Sequence, residues 1–417
     1  MNPANPRKHP LRTQFLASVV IFQFTESIFP VYAMKFTLLS AAAAIIFAST
    51  QNDGKRLIRL ADDRAEWMTD DQVADLALRD IGFLDDTDGD WQHVFDLGAA
   101  RQAQEIHVQG ISPYPSVATY PQLVRALNAK IQTSDLKLSL ESFVNQFKNR
   151  IYNTTEGKQS CGWIYDQVVK AAATTGNSNV NVTVRKFNHA WGQYSVIARV
   201  EPTTVTPKND IVIVSAHQDS INWKDWKDPV KRDIAPGADD DGSGTVTILE
   251  SLKYLLATPE WTPVRPVEFH WYSAEEWGLL GSKEVATEYA TANKPVYAQM
   301  QQDMTGWVRP GTTPVVSLIT DFTNKDLNTF LETLIKSYLD IPVSHSTCGY
   351  GCSDHFSWNK TGYPGSMPFE TDSKDLNKNI HTSNDTLETI DYNHMAEFTK
   401  LANAYIVELT QDSATSC

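Results

Sequence analysis

Apolar residues along this chain fall into short runs and helical stripes that take turns. Ile211-Val212-Ile213-Val214 is a continuous apolar run, the pattern of a strand covered on both faces. Val246, Leu249, Leu252 and Leu255 follow at helical spacing and predict an amphipathic helix. The alternation continues with a strand from Val267 to Tyr272, a helix from Leu279 to Tyr289 and a strand from Tyr297 to Met304. Val315 to Thr320 predicts another strand, followed by a helix through Leu327, Phe330, Leu334 and Tyr338. A last helix is expected from about His394 to Leu409. Upstream, Leu140-Phe143-Phe147-Ile151 and Trp163-Val168-Val169 also recur at helical spacing. Strands alternating with helices imply an α/β fold: a single, mostly parallel mixed sheet flanked by helices on both faces, over residues 113–417. In such folds ligands sit beyond the carboxyl ends of the strands.

The pattern before residue 113 is different. From about Asp53 to Glu105 the chain is rich in Asp and Glu and shows no sustained strand pattern, so 51–112 is expected to be a propeptide or a loosely ordered arm. Ahead of it, Met34-Lys35 precedes an apolar run from Phe36 to Ala48, then small residues. That is the layout of a secretory signal peptide over 34–50, too short for a span of about 20 residues. Residues 1–33, with their own apolar stretch from Phe15 to Phe24, read as an upstream extension, and a signal anchor is the alternative. A secreted destination agrees with four cysteines and with sequons at Asn153, Asn181, Asn359 and Asn384. Cys348 and Cys352, in C-G-Y-G-C, are placed to close a small disulfide loop worth on the order of 2 kcal/mol, and a metal site is the rival reading. Cys161 and Cys417 either pair or stay free. The net charge of −14 excludes nucleic acid and anionic membrane surfaces as partners, because phosphates would be repelled.

Polar groups gather where the fold would want a ligand. His217 and Asp219 end one expected strand, Glu275 and Glu276 the next, Asp303 the third. Each alone has a bland reading. Asp239-Asp240-Asp241 before Gly242-Ser243-Gly244 could cap a helix or form a calcium loop, and Glu275-Glu276 could be a solvated pair. Together they suit two adjacent divalent cations, which need a carboxylate between them to screen their repulsion. Two zinc ions carry +4; three carboxylates and a bridging hydroxide balance them, and two neutral histidines complete the set. A further glutamate can then act as general base. Spacing does not distinguish Asp240 from Asp239 or Asp241, nor His381 from His355, for which a packed position beside Phe356 and Trp358 is the bland reading. Serine or cysteine nucleophile chemistry finds no Ser motif beside a plausible histidine.

H-Q-D-S (217–220), P-G-A-D-D-D-G-S-G (236–244), S-A-E-E-W-G-L-L-G-S (273–282), Q-D-M-T (302–305), C-G-Y-G-C-S-D-H-F-S-W (348–358) and I-H-T-S-N-D-T-L (380–387) resemble the co-catalytic zinc aminopeptidases of metallopeptidase family 28, the secreted fungal leucine aminopeptidases and their bacterial relatives. N-R-I-Y-N-T-T-E-G-K-Q-S (149–160) extends the likeness, which covers roughly Leu138 to Glu408. The resemblance implies two Zn²⁺ per chain. Asp240 would bridge them, His217 and Asp303 would complete one, and Glu276 and His381 the other. Glu275 would be the general base and Asp219 would hold His217 by accepting its remaining N–H. Tyr350 would hydrogen-bond the oxyanion of the tetrahedral intermediate.

Met304, Ile319, Cys348, Tyr350, Cys352, Met367, Phe369 and Ile380 match positions that line the first side-chain pocket in relatives, so leucine and similar residues are the expected preference. Lys374 is the nearest candidate cation for an acidic side chain, and its neighbours read as an exposed loop. Expected partners are peptides or proteins with free amino termini, acted on by a monomer. A single-zinc glutaminyl cyclase and a catalytically inactive binding module of the same fold are the rivals. A carboxypeptidase would need basic residues for a carboxylate, and the motifs hold no arginine cluster.

Overall fold

The computed structural model describes residues 54–104, 112–206 and 208–412. The signal peptide expected at 34–50, the segment before it and Cys417 lie outside these residues. Asn52–Cys417 forms one compact unit.

The chain opens with β1 (Arg56–Ala61), β2 (Arg64–Met68), α1 (Asp70–Ala77), β3 (Leu84–Asp85) and α2 (Trp91–Gln104). Helices α3 (Pro121–Asn128), α4 (Thr133–Val144) and α5 (Thr155–Ala173) follow. Then come β4 (Val180–Phe187), β5 (Ser195–Pro202), β6 (Ile211–His217), α6 (Gly242–Leu256), β7 (Val267–Tyr272), α7 (Leu280–Thr291) and β8 (Val296–Gln301). The remainder is β9 (Val316–Ile319), α8 (Lys325–Tyr338), β10 (Val343–Ser346), α9 (His355–Lys360), β11 (Gly365–Ser366), β12 (Pro368–Phe369) and α10 (Tyr392–Thr410).

The α/β class is as expected, while the strands sort into more than one sheet. The main sheet has the order β11-β8-β6-β7-β5-β4. β11, β8, β6 and β7 run parallel, and β5 and β4 add antiparallel pairs at the far edge. β9, β10 and β12 form a smaller sheet, and β1, β2 and β3 a third. β6 and β7 are buried at every residue, which is why both read as unbroken apolar runs. α6 is nearly all buried too, so its stripe packs on both sides and is not amphipathic in the usual sense. Val212, Val214, Phe269, Trp271, Leu249, Leu252, Phe398 and Tyr405 meet in the main core. Each such side chain contributes about 1.5–3 kcal/mol by leaving water.

Two expectations change. The stripe from Leu140 to Ile151 is not one helix: α4 ends at Val144, and Phe147 and Ile151 are buried from the loop that follows. The acid-rich segment is not a loose arm. A capping box between Thr69 and Gln72 starts α1. Ile58, Val73, Ala74 and Leu76 pack with Tyr152, Trp223 and Trp277 of the main domain. Arg56 reaches Asp70 at 2.9 Å, Asp85 at 2.8 Å and the Tyr152 hydroxyl at 2.7 Å. In β1 only Ile58 is fully buried and β2 is almost wholly exposed, so neither strand carries the alternation that marks a sheet face.

Candidate active site

β8, β6 and β7 lie side by side and parallel, so their carboxyl ends open into one cleft. His217 is the last residue of β6. Glu275 and Glu276 follow β7, and Asp303 follows β8. His381 arrives from the loop before α10. Several of these positions hold uncommon backbone: Ala274, Met304 and His381 have φ of 57°, 61° and 56°. A non-glycine residue held there costs energy that the surrounding packing must supply, and such residues cluster at functional sites.

Within the cleft, Asp240 stands between the two histidines. Its Oδ1 lies 3.0 Å from Nε2 of His217 and its Oδ2 lies 2.9 Å from Nε2 of His381. Nε2 of His381 is also 3.0 Å from Glu276, and Nε2 of His217 is 3.5 Å from Asp303 and 4.0 Å from Glu275. The neighbouring aspartates are otherwise engaged. Asp241 caps α6 by accepting from Gly244 N at 2.9 Å, and it also takes the N–H of Met304 and of His217, each at 3.0 Å. It lies near His217 and Asp303 as well, but its oxygens already serve backbone. Asp239 accepts from Gly306 N and from the Asn377 side chain. Only Asp240 turns both oxygens to the histidines. His355 is buried elsewhere, with neither ring nitrogen hydrogen-bonded.

The carboxylates exceed what a buried cleft can keep ionised unaided. Burial pushes Glu276 up to about 7, with Asp240 adding to it, and pushes Asp239 up to about 6. Burial also lifts Glu275 well above its ordinary range; the nearby His217 opposes this, and Asp303 adds to it. Burial alone would raise Asp240 too, yet the imidazoles of His217 and His381 beside it hold it well below. Oδ1 of Asp303, Oε1 of Glu276 and both nitrogens of His217 are buried without a hydrogen bond. Unused acceptors and imidazole nitrogens facing one another fit divalent metal binding, and zinc accepts this donor set.

Three neighbours carry no role in the sequence reading. Asp385 accepts from the backbone of Asp239 at 2.9 Å and of Asp240 at 3.0 Å, so it fixes that loop. Ser353 donates to Asp303 at 2.5 Å. Arg150 lies behind the loops. Asp219, expected to hold His217, also serves the next loop. It stands 3.5 Å from Nδ1 of His217, beyond a good hydrogen bond, and takes the N–H of Glu275 at 3.0 Å and of Glu276 at 3.2 Å.

Cys348 and Cys352 are disulfide-bonded, and Cys161 is free and buried. Tyr350, between them, is 41% exposed, yet its hydroxyl lies deep enough that burial, then Glu275 and Asp303, raise its pKa. The phenol therefore keeps its proton and can donate. Met304, Ile319, Met367 and Phe369 form one buried apolar cluster, with Cys348, Cys352 and Ile380 against it. Lys374 points away, exposed and 3.4 Å from Asp372.

One serine does sit beside a histidine in the folded chain. His189 contacts Glu284 at 2.6 Å and Ser195 Oγ at 2.7 Å. Ser195 is 0% exposed and accepts the N–H of Ser273, so no substrate can reach it. The cluster is structural.

Residues 195–406 match peptidase family M28. The chain is 37% identical over 362 residues to leucine aminopeptidase 1 of Aspergillus fumigatus, covering 85% of this chain and 89% of that one. The crystal structure of the LapA aminopeptidase of Legionella pneumophila superposes with a TM-score of 0.71 at 27% identity, covering 86% and 94%. A glutaminyl cyclase of Bacteroides thetaiotaomicron shares the fold at a TM-score of 0.50 and 16% identity, covering 66% and 97%. Fold, acid-and-histidine cleft and relatives together define a metal-dependent aminopeptidase, a hydrolase. The chain belongs to peptidase family M28.

Proposed function

We propose that this protein is an extracellular aminopeptidase that binds two zinc ions and releases leucine and other apolar residues from the amino termini of peptides. The observation that carries the two-metal reading is the split of Asp240, one oxygen at 3.0 Å from His217 and the other at 2.9 Å from His381. His217 and Asp303 would hold one ion, Glu276 and His381 the other, with Asp240 shared. Bound there, zinc would polarise the scissile carbonyl and acidify the attacking water.

The rest is done by side chains. Glu275, fixed through its backbone by Asp219, takes a proton from the attacking water and returns it to the leaving amine. Tyr350 donates its hydrogen to the developing oxyanion. The cluster of Met304, Ile319, Met367 and Phe369 receives the first side chain, while Lys374, the candidate for favouring an acidic one, is exposed beside Asp372.

Residues 51–112 act as a propeptide that masks this cleft. Gly82 lies so close over the Tyr350 ring that a Cβ there would come within 1.8 Å of the ring, and Asp85 N reaches Gly278 O at 3.3 Å. Trimmed protein should therefore outpace the full-length precursor, and equal rates would remove the masking role.

Hydrolysis of a panel of aminoacyl chromogenic substrates, before and after chelation, tests the whole reading. Leucine should lead, activity should vanish with chelator and return with zinc. Turnover of the glutamyl substrate at or above the leucyl one would refute the preference.

A further inference from the structure

Arg150 is 0% exposed, and among the described residues no carboxylate forms an ion pair with it. Its guanidinium donates instead to three main-chain carbonyls. Nε reaches Gln218 at 2.8 Å, Nη1 reaches Pro236 at 2.5 Å and Nη2 reaches Gly237 at 2.8 Å. Its flat face lies 4.7 Å from the Phe143 ring centre. The backbone of Arg150 is pinned as well, donating to Ser220 Oγ at 3.0 Å and accepting from Gln193 at 3.0 Å. Ser220 Oγ in turn donates to Ala235 O at 2.7 Å.

These contacts join two particular loops. Gln218 follows His217, and Pro236-Gly237 leads into Asp240. Gly237 makes the approach possible: it has φ +54°, and a Cβ there would lie 2.8 Å from Nη2 and 2.5 Å from Asp240 O. A buried cation without a contacting counter-ion is costly, and here Asp385, Asp219, Asp241 and Asp240 offset it from a distance. The exchange is mutual. Arg150 lowers the repulsion among those aspartates.

We propose that Arg150 is a positioning residue for the metal site, tying the His217 loop to the Asp240 loop and lending positive charge that keeps the acidic ligands at working spacing before metal arrives. The inference rests on His217 and Asp240 being ligands. A lysine keeps the charge but cannot span three carbonyls in one plane.

Zinc release to a chelator, kcat and KM should be compared for wild type, Arg150→Lys and Phe143→Leu. Arg150→Lys is expected to release zinc about 10- to 100-fold faster and to lose kcat to a similar degree, with KM little changed. Phe143→Leu removes the stacked ring alone, so it should lower Tm while leaving zinc release as in wild type. Wild-type zinc retention in Arg150→Lys overturns the proposal, as does equal loosening in Phe143→Leu, which would mean general destabilisation. If Arg150→Lys does not fold, amide exchange in metal-stripped wild type decides. Residues 218–222 and 236–242 should stay as protected as the sheet, and selective opening of both loops would defeat the idea. A wild type that binds no zinc would instead defeat the ligand assignment beneath it.

Discussion

On either side of the loop that follows β7, the chain builds two clusters of histidine and acid. Around His189 both ring nitrogens are used: Glu284 meets one at 2.6 Å, Ser195 meets the other at 2.7 Å, and Trp191 stacks on the ring with centroids 4.5 Å apart. In the cleft, acceptors outnumber donors, and His217 and His381 face Asp240, Glu275, Glu276 and Asp303 within 4.0 Å. The same residue types therefore give a closed knot in one place and an open demand for cations in the other. What separates them is hydrogen-bond accounting, not composition.

The largest effect expected from breaking this contrast falls on Glu275→Gln. The change keeps the shape and removes the proposed base, so kcat should fall about 10³-fold or more with zinc content as in wild type. A Glu275→Gln enzyme with near-normal turnover would place the base elsewhere.

His355 sharpens the comparison, because it is buried with both nitrogens unpaired and, among the described residues, forms no ion pair with a carboxylate. Burial lowers its pKa to about 4, with Asp321 opposing weakly. A histidine depressed in the folded state favours folding fully above the unfolded value of 6.5, and that contribution disappears as pH falls through about 4. The loss amounts to about 3 kcal/mol over that window. Chemical denaturation of wild type and His355→Leu across pH 7 to 4 should show the gap between them shifting by that order in favour of the variant. A constant gap would mean His355 titrates normally.

Tyr350→Phe comes next. Loss of one oxyanion donor should lower kcat about 10²-fold with little change in KM or zinc content. A rise in KM alone would recast Tyr350 as a binding residue. The smallest effect belongs to the closed cluster. His189→Phe should cost about 1–3 kcal/mol in stability, from the groups left unpaired, with zinc stoichiometry and kcat close to wild type. If turnover collapses while Tm holds, the knot is part of the catalytic apparatus after all.

Much of this was written in the sequence. β6 and β7 are buried on both faces, and buried parallel strands leave continuous apolar runs that period analysis finds. β4 carries an alternation at Val180, Val182 and Val184 that apolar runs do not reveal, because its other face is exposed. The ordered amino-terminal segment was illegible for a different reason. It holds itself through Arg56, Arg59 and their aspartates and buries few side chains per strand, so hydrophobic pattern under-reports it. At the site, the motifs brought forward residues that the fold gathers in one cleft, but three consecutive aspartates are equivalent to any spacing rule. Their difference lies in which oxygens the backbone of Gly244, Met304 and Gly306 already occupies, and only the folded chain decides that.

Zinc content per folded chain is the most direct test of whether one aspartate holds two cations together. Wild type should carry two zinc ions, and Asp240→Ala, which takes a ligand from both, should retain fewer than one. A single zinc per wild-type chain, with no amino acid released from peptides, would contradict the assignment and favour single-metal chemistry of the glutaminyl cyclase kind.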